Sequence, residues 1–201
     1  MRVGSDRWLT VTRSGSVEAN RRLTAMTGLV LFVLLAAEGV TILRIHRLLP
    51  AHFFIGLLLI PPVVLKMAST GYRFARYYTR NPAYRRAGPP PLLLRLVAPV
   101  VVASTVVVFA TGVELWLFGL QFGAIWLTAH KLSFVVWFGA TAIHVLGHLE
   151  GARRLALAGA TEGAGGAITR RSLVGASLLL GVVLALSTLV WQSPFISPPN
   201  L

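Results

Sequence analysis

Five apolar segments, each long enough to cross a bilayer, constrain this chain more than any other feature of its sequence. They lie at about residues 26–43, 51–72, 96–118, 126–150 and 173–191. A helix needs roughly 20 apolar residues to span a hydrocarbon core, and it satisfies its backbone groups internally where water is absent. Over the whole chain 55% of the residues are hydrophobic and 12% are charged. The sequence therefore predicts an all-α integral membrane bundle of five transmembrane helices, a multi-pass protein of the cell membrane.

The distribution of basic residues predicts the orientation of these helices. Fifteen arginines lie in residues 1–25, 73–95 and 151–172, whereas the loops on the other side hold only Arg44 and Arg47. Cytoplasmic loops of membrane proteins are the ones enriched in Arg and Lys. We therefore expect the N-terminus to lie inside the cell.

This orientation divides the chain into three parts. We expect a cytoplasmic N-terminal segment at residues 1–25, a five-helix transmembrane domain at residues 26–192 and an exterior tail at residues 193–201. The net charge of +13 would favour nucleic-acid binding in a soluble protein. Here the charges lie between apolar segments, so we expect contact with membrane lipid and no nucleic-acid partner. The chain has no cysteine, and any metal chemistry must therefore use histidine.

Three local features of the chain carry further expectations. The Pro61-Pro62 pair removes two backbone donors and should kink the second segment in mid-membrane. Residues 73–95 are rich in arginine and aromatic side chains and should form a loop on the membrane surface. Residues 159–167 are rich in Gly and Ala and should be a flexible link.

Three of the five histidines lie in the fourth apolar segment, at His130, His144 and His148. Ionisable side chains within a membrane span are costly and are functional candidates by default. The step of 14 residues from His130 to His144 turns a helix through about 1400° and rises about 21 Å. These histidines therefore share one helix face and lie near opposite ends of the hydrocarbon core.

His52 and His130 are predicted to lie at equal depth on two parallel spans. Each lies close to the outer end of its segment, and both segments run from outside to inside. Two neutral imidazoles on neighbouring helices could face each other across one haem, with Arg44, Arg47 and Lys131 at the same level for its propionates. The alternative is that both histidines are interfacial residues that cap helices or bind lipid headgroups.

Residues 51–150 resemble the membrane-integral b-type cytochromes of bacteria. This group includes the cytochrome b subunits of formate dehydrogenases and hydrogenases and, more distantly, ferric-reductase-like haem domains. The resemblance implies four or five helices, in which histidines about 13 or 14 residues apart on one helix each bind a different haem b. It also implies electron exchange with quinone. The chain departs from this pattern at Lys66, which stands 14 residues after His52 where a second histidine would be expected.

The inner level of the bundle leaves three alternatives open. Lys66 could ligate a second haem together with His144 or His148, or Lys66 and His144 could hydrogen-bond a quinone. The third alternative is a simple buried polar cluster. Glu38 and Glu114, in the outer halves of their spans, could relay quinol protons or could be neutral carboxyl groups bonded to a neighbouring helix.

We expect a cytochrome b that carries electrons between quinone and a redox partner, without being a complete enzyme. The chain has no flavin or nicotinamide motif, so a separate oxidoreductase subunit or domain would supply the substrate chemistry. The sequence leaves open whether the chain forms a homodimer. It also leaves two rival functions: a small proton or ion transporter or channel subunit, and a structural membrane anchor.

Overall fold

The computed structural model describes residues 4–88, 92–158, 164–191 and 193–196, and it is helical almost throughout. The described residues form six helices and no strand: α1 Gly4–Leu43, α2 Ile45–Tyr78, α3 Pro82–Arg86, α4 Leu92–Phe118, α5 Ile125–Ala158 and α6 Ala164–Val190. Among them, α3 alone is too short to cross a bilayer, and the other five are long and apolar enough to do so. The predicted all-α bundle of five membrane-length helices is confirmed. Its orientation in the membrane stays a prediction.

The outer surface of the bundle is apolar, as lipid contact requires. Large hydrophobic side chains such as Leu43, Leu146 and Val190 are 71–90% exposed. Such a surface would be unfavourable in water, whereas in hydrocarbon it has no cost. The membrane assignment therefore agrees with both the helix lengths and the character of the exposed faces.

Helix α1 continues well before residue 26, where the sequence predicts the first span to begin. No proline interrupts residues 17–25, and Glu18 accepts a hydrogen bond of 2.8 Å from Arg22 Nε one turn later. Asn20 Nδ2 donates to the Ser69 carbonyl at 3.0 Å, which attaches this polar part of α1 to α2. Polar contacts of this kind extend the helix beyond its apolar stretch, so the predicted segment 1–25 has no separate fold over its described residues.

Helix α2 begins earlier than the predicted span, at Ile45, and its irregularity lies near that end. Leu48 alone within α2 has non-helical dihedrals (φ −111°, ψ 16°). Two residues later, Pro50 has no N–H and cannot donate a hydrogen bond to the preceding turn. The Pro61-Pro62 pair keeps helical dihedrals, and Pro62 is among the most buried residues. The departure from helical geometry is thus at Leu48 and not at the predicted Pro61-Pro62 position.

The segment predicted as a surface loop at residues 73–95 is largely helical. Helix α2 extends to Tyr78, and α3 starts with the Asn81 side chain accepting from Ala83 N at 3.2 Å. Pro82 occupies the first position of α3, where its missing N–H is not needed. Tyr84 is buried, so this short helix packs onto the bundle. Residues 89–91, and residues 159–163 of the predicted Gly/Ala-rich link, lie outside the described residues.

The bundle packs mainly as three helix pairs, α4 with α5, α2 with α6, and α1 with α2. A small core of Phe53, Leu57, Trp116 and Ala185 fills the outer part between α2, α4 and α6. Phe195, in the segment predicted to be an exterior tail, packs against Phe53 with ring centroids 6.1 Å apart. The described part of that tail therefore closes the outer end of the bundle, while residues 197–201 lie outside the described residues.

Helices α2 and α6 are in backbone contact at Gly181. A Cβ added there would lie 2.4 Å from the Leu58 carbonyl oxygen. Small residues allow transmembrane helices to approach this closely, and packing is a main source of helix association in lipid.

We expect Gly181→Ala to force α2 and α6 apart and to lower the free energy of unfolding by about 1–3 kcal/mol, the usual cost of overpacking. Thermal unfolding in detergent measures the change. Gly175→Ala on the same helix is the control, because an added Cβ there meets no atom within 4 Å. Equal stability losses in the two variants would contradict this account of the contact.

Candidate functional site

The histidine predicted on the second span and the first histidine of the fourth span meet inside the bundle. The ring centroids of His52 on α2 and His130 on α5 are 6.3 Å apart, and the ring planes cross at 85°. Both side chains are largely withdrawn from the surface. The two side chains therefore lie at the same level, in an edge contact, and their role as ligands stays a prediction.

The Nδ1 atom of His52 is held by two oxygens of α1. Glu38 Oε1 lies 2.9 Å from it and Thr41 Oγ1 lies 3.0 Å from it. The Thr41 hydroxyl already donates its hydrogen to the Glu38 carbonyl at 2.6 Å, so it can only accept from the ring. With Glu38 ionised, both contacts are satisfied by a proton on Nδ1, and Nε2 of a neutral His52 then keeps its lone pair.

The Nδ1 atom of His130 has a similar partner on α4. Thr111 Oγ1 lies 3.0 Å from it and donates its own hydrogen to the Val107 carbonyl at 2.7 Å. In the tautomer that completes both bonds, His130 Nδ1 donates to the hydroxyl and Nε2 carries the lone pair. A Cβ at Gly112 would come within 3.2 Å of His130 Cε1, so Gly112 provides the space in which the ring lies.

The two rings form an edge contact, with centroids 6.3 Å apart and perpendicular planes. A ligating histidine usually donates its other ring N–H to a carboxylate, a carbonyl or another acceptor, which fixes the tautomer and the ring orientation. Glu38, Thr41 and Thr111 are acceptors of this kind beside the Nδ1 atoms. Metal ligation by the two rings stays a prediction.

Beside the two rings lies a cavity of about 2190 Å³. Small-molecule pockets are commonly about 300–1,000 Å³, and a packed interior has few voids larger than a water molecule. The lining is mostly apolar and reaches from Glu38, His52 and His130 to Lys66 and the inner histidines. The volume of this cavity thus exceeds that of a common small-molecule pocket.

The inner level is arranged differently from the outer one. The rings of His144 and His148 are in contact, with centroids 4.6 Å apart, and both belong to α5. Lys66 Nζ donates to the Thr24 carbonyl of α1 at 2.6 Å, and a Cβ at Gly28 would lie 2.9 Å from it. The lysine is thus bonded to α1, although it lines the same cavity as both histidines. Among the described residues no histidine on another helix faces His144.

The predicted cationic residues of the outer level are divided by the structure. Lys131 lines the cavity, whereas the exposed Arg44 and Arg47 do not. The latter two are therefore not placed to contact a group held inside. Gly56, one turn after His52 on α2, lies beside the Glu38 carboxylate, where an added Cβ would be 3.6 Å from Oε1.

The two predicted carboxyl groups also have different environments. Glu38 bonds His52, whereas both carboxyl oxygens of Glu114 are inaccessible and have no hydrogen-bond partner among the described residues. Glu114 does not line the cavity. A common proton path through both groups therefore has no geometric support, and the relay role of each stays a prediction.

The described residues contain no group of three or more His, Cys, Asp or Glu side chains that could hold a metal ion by themselves. A porphyrin supplies four nitrogen ligands to its iron, so haem requires only two axial ligands from the protein. His52 and His130 would be the two protein ligands if haem bound here, whereas two histidines alone would be insufficient for a bare zinc or calcium ion.

Sequence reasoning missed Thr41 and Thr111, the hydroxyls that fix the two ring tautomers. Both lie in apolar helices and bond a carbonyl three or four residues earlier, as threonines in membrane helices commonly do. Their position relative to the histidines depends on helix rotation, which the sequence leaves open. No family model, curated protein or solved structure matches the chain.

We expect Thr111→Val to leave the His130 Nδ1–H without an acceptor and to lower the free energy of unfolding by about 1–3 kcal/mol. Thermal unfolding of the purified protein measures this loss. Thr128→Val serves as the control, since that hydroxyl is exposed and bonds the Ala124 carbonyl of its own helix. If both variants lose the same stability, the Thr111 contact with His130 is not the cause.

Proposed function

We propose that this chain is a membrane cytochrome b in which His52 and His130 bind one haem b. One observation carries the proposal: two imidazoles from different helices lie 6.3 Å apart beside a large apolar cavity. The hydrogen bonds of both rings support it, because they leave Nε2 of each ring free to bind iron.

Haem supplies a single-electron carrier whose iron alternates between the ferric and ferrous states. The residues of the chain have three tasks around it. Glu38, Thr41 and Thr111 orient the two imidazoles, and Gly112 leaves space for the His130 ring. The apolar side chains that line the cavity exclude water, which limits the charge rearrangement that accompanies each electron transfer.

A quinone site at the inner level accounts for the remaining part of the cavity. His144 lines this part of the cavity, and its Nδ1 has no hydrogen-bond partner among the described residues. A rotation of the ring would let a ligand carbonyl or hydroxyl bond that nitrogen. Lys66 lines the same space and can donate further hydrogen bonds from its amine. A second haem has less support, because Lys66 is bonded to Thr24 and the other imidazoles at this level are neighbours on α5.

The proposed role is electron transfer across the cell membrane between the quinone pool and a redox partner. No flavin or nicotinamide motif occurs in the sequence, so the partner is a separate oxidoreductase subunit or domain. The proposed orientation, with the N-terminus inside, rests on the arginine-rich segments and places the haem towards the outer side.

We expect the purified protein to contain one haem b per chain and both His52→Ala and His130→Ala to lose it, because each removes an axial ligand. A pyridine haemochrome assay gives the ratio of haem to protein. His46→Ala is the matched control, since His46 also lines the cavity but is exposed. A colourless wild-type protein, or normal haem content in either ligand variant, would refute the assignment.

We expect Lys66→Met and His144→Ala to keep the haem but to slow its reduction by quinol about tenfold or more, the effect of losing a hydrogen bond to the ligand. Stopped-flow absorbance of the haem measures the rate, and Lys131→Met controls for removal of a lysine from the cavity wall. A haem content halved in either inner-level variant would show that a second haem occupies this level.

A further inference from the structure

The two histidines of the outer site have chemically different supports. His130 donates to the neutral hydroxyl of Thr111. His52 donates to the carboxylate of Glu38 as well as to the hydroxyl of Thr41. The hydroxyl contacts have the same length, 3.0 Å, so the carboxylate is the feature that distinguishes the two sides.

The charge of Glu38 is directed at His52. The side chains of Glu38 and His52 are 13% and 19% exposed, so water screens the contact only partly. Within the described residues, no lysine or arginine forms an ion pair with Glu38. The carboxylate lies against α2 beside Gly56, where an added Cβ would be at an ordinary contact distance of 3.6 Å from Oε1.

A carboxylate that accepts a hydrogen bond from Nδ1 of an imidazole changes the electron donation from Nε2 to a metal. It draws the Nδ1 proton towards itself, so Nε2 becomes a stronger electron donor. A stronger donor and a nearby negative charge both favour the more positive ferric iron over ferrous iron. A neutral hydroxyl acceptor does this much less, because a hydrogen bond to a charged group is roughly twice as strong.

We propose that Glu38 sets the redox potential of the site by acting as the anionic partner of His52, so that the two axial imidazoles are inequivalent and the ferric state is favoured. The proposal rests on the proposed haem ligation by His52 and His130. Glu38 is here a positioning and tuning residue: it contacts the ligand and does not contact the iron.

The test is a spectroelectrochemical titration of the full-length protein at one fixed pH. Glu38→Gln keeps an oxygen acceptor of similar size but removes the charge. We expect the variant to retain haem and its midpoint potential to rise by at least about 59 mV, which is a tenfold change in the redox equilibrium of a one-electron couple. The EPR g values of its ferric haem should change as well, because the donor strength of His52 has changed.

Two control variants separate charge from other effects. Glu114→Gln neutralises another carboxyl group in the outer half of a span, one that bonds neither histidine, and should leave the potential unchanged. Thr41→Val removes a neutral hydrogen-bond partner of His52 and should shift the potential by less than Glu38→Gln does.

Each outcome decides the proposal. If Glu38→Gln keeps its haem and the wild-type potential, or if Glu114→Gln shifts the potential equally, the tuning role is wrong. If Glu38→Gln fails to bind haem, the charge-conserving variant Glu38→Asp is tested instead. Retained haem with a smaller rise in potential supports the role of the charge. Loss of haem in both variants shows that Glu38 is a purely structural residue. A wild-type protein without haem would instead overturn the proposed function itself.

Discussion

The contact between His52 and His130 depends on four helices at once. The two rings come from α2 and α5, and their orientations depend on Glu38 and Thr41 of α1 and on Thr111 of α4. A histidine side chain within a membrane span is stable only where its polar atoms are satisfied, so each ring requires its neighbouring helix. The three principal helix pairs include α1 with α2 and α4 with α5, the two pairs that make these bonds. The tertiary arrangement of the bundle and the chemistry of the site are therefore consequences of the same contacts.

The cavity follows from the way the helices associate. Hydrocarbon solvates apolar side chains as well as a protein interior does, so transmembrane helices associate through close backbone approach and hydrogen bonds. In this bundle the backbone contact at Gly181 joins α6 to α2, and the histidine bonds join the two remaining pairs of helices. These contacts leave an apolar space of about 2190 Å³ that links the outer and inner levels. A bound ligand would add the packing contacts that the side chains around this space lack.

The sequence was sufficient to predict the number of spans and the similar depth of His52 and His130, because both follow from residue counts along regular helices. Helix rotation and kinks were not predictable in this way. The irregularity lies at Leu48 and not at Pro61-Pro62, because the neighbouring helices accommodate the two prolines within a regular backbone. Lys66 bonds the Thr24 carbonyl of α1, a contact that depends on the rotation of α1 against α2. The polar start of α1 was also missed, since its stability comes from tertiary bonds such as that of Asn20 to Ser69.

The two levels of the cavity differ in how their imidazoles are arranged. At the outer level two imidazoles come from different helices and each has a hydroxyl beside its Nδ1, so the proposed haem would have one ligand from each helix. At the inner level the two imidazoles are neighbours on one helix, and the lysine of α2 is already bonded to α1. Side chains on one helix cannot lie on opposite faces of the same macrocycle. They can, however, donate hydrogen bonds to one edge of a smaller ligand. The difference between the levels therefore follows from the number of helices that contribute imidazoles to each, which is two at the outer level and one at the inner level.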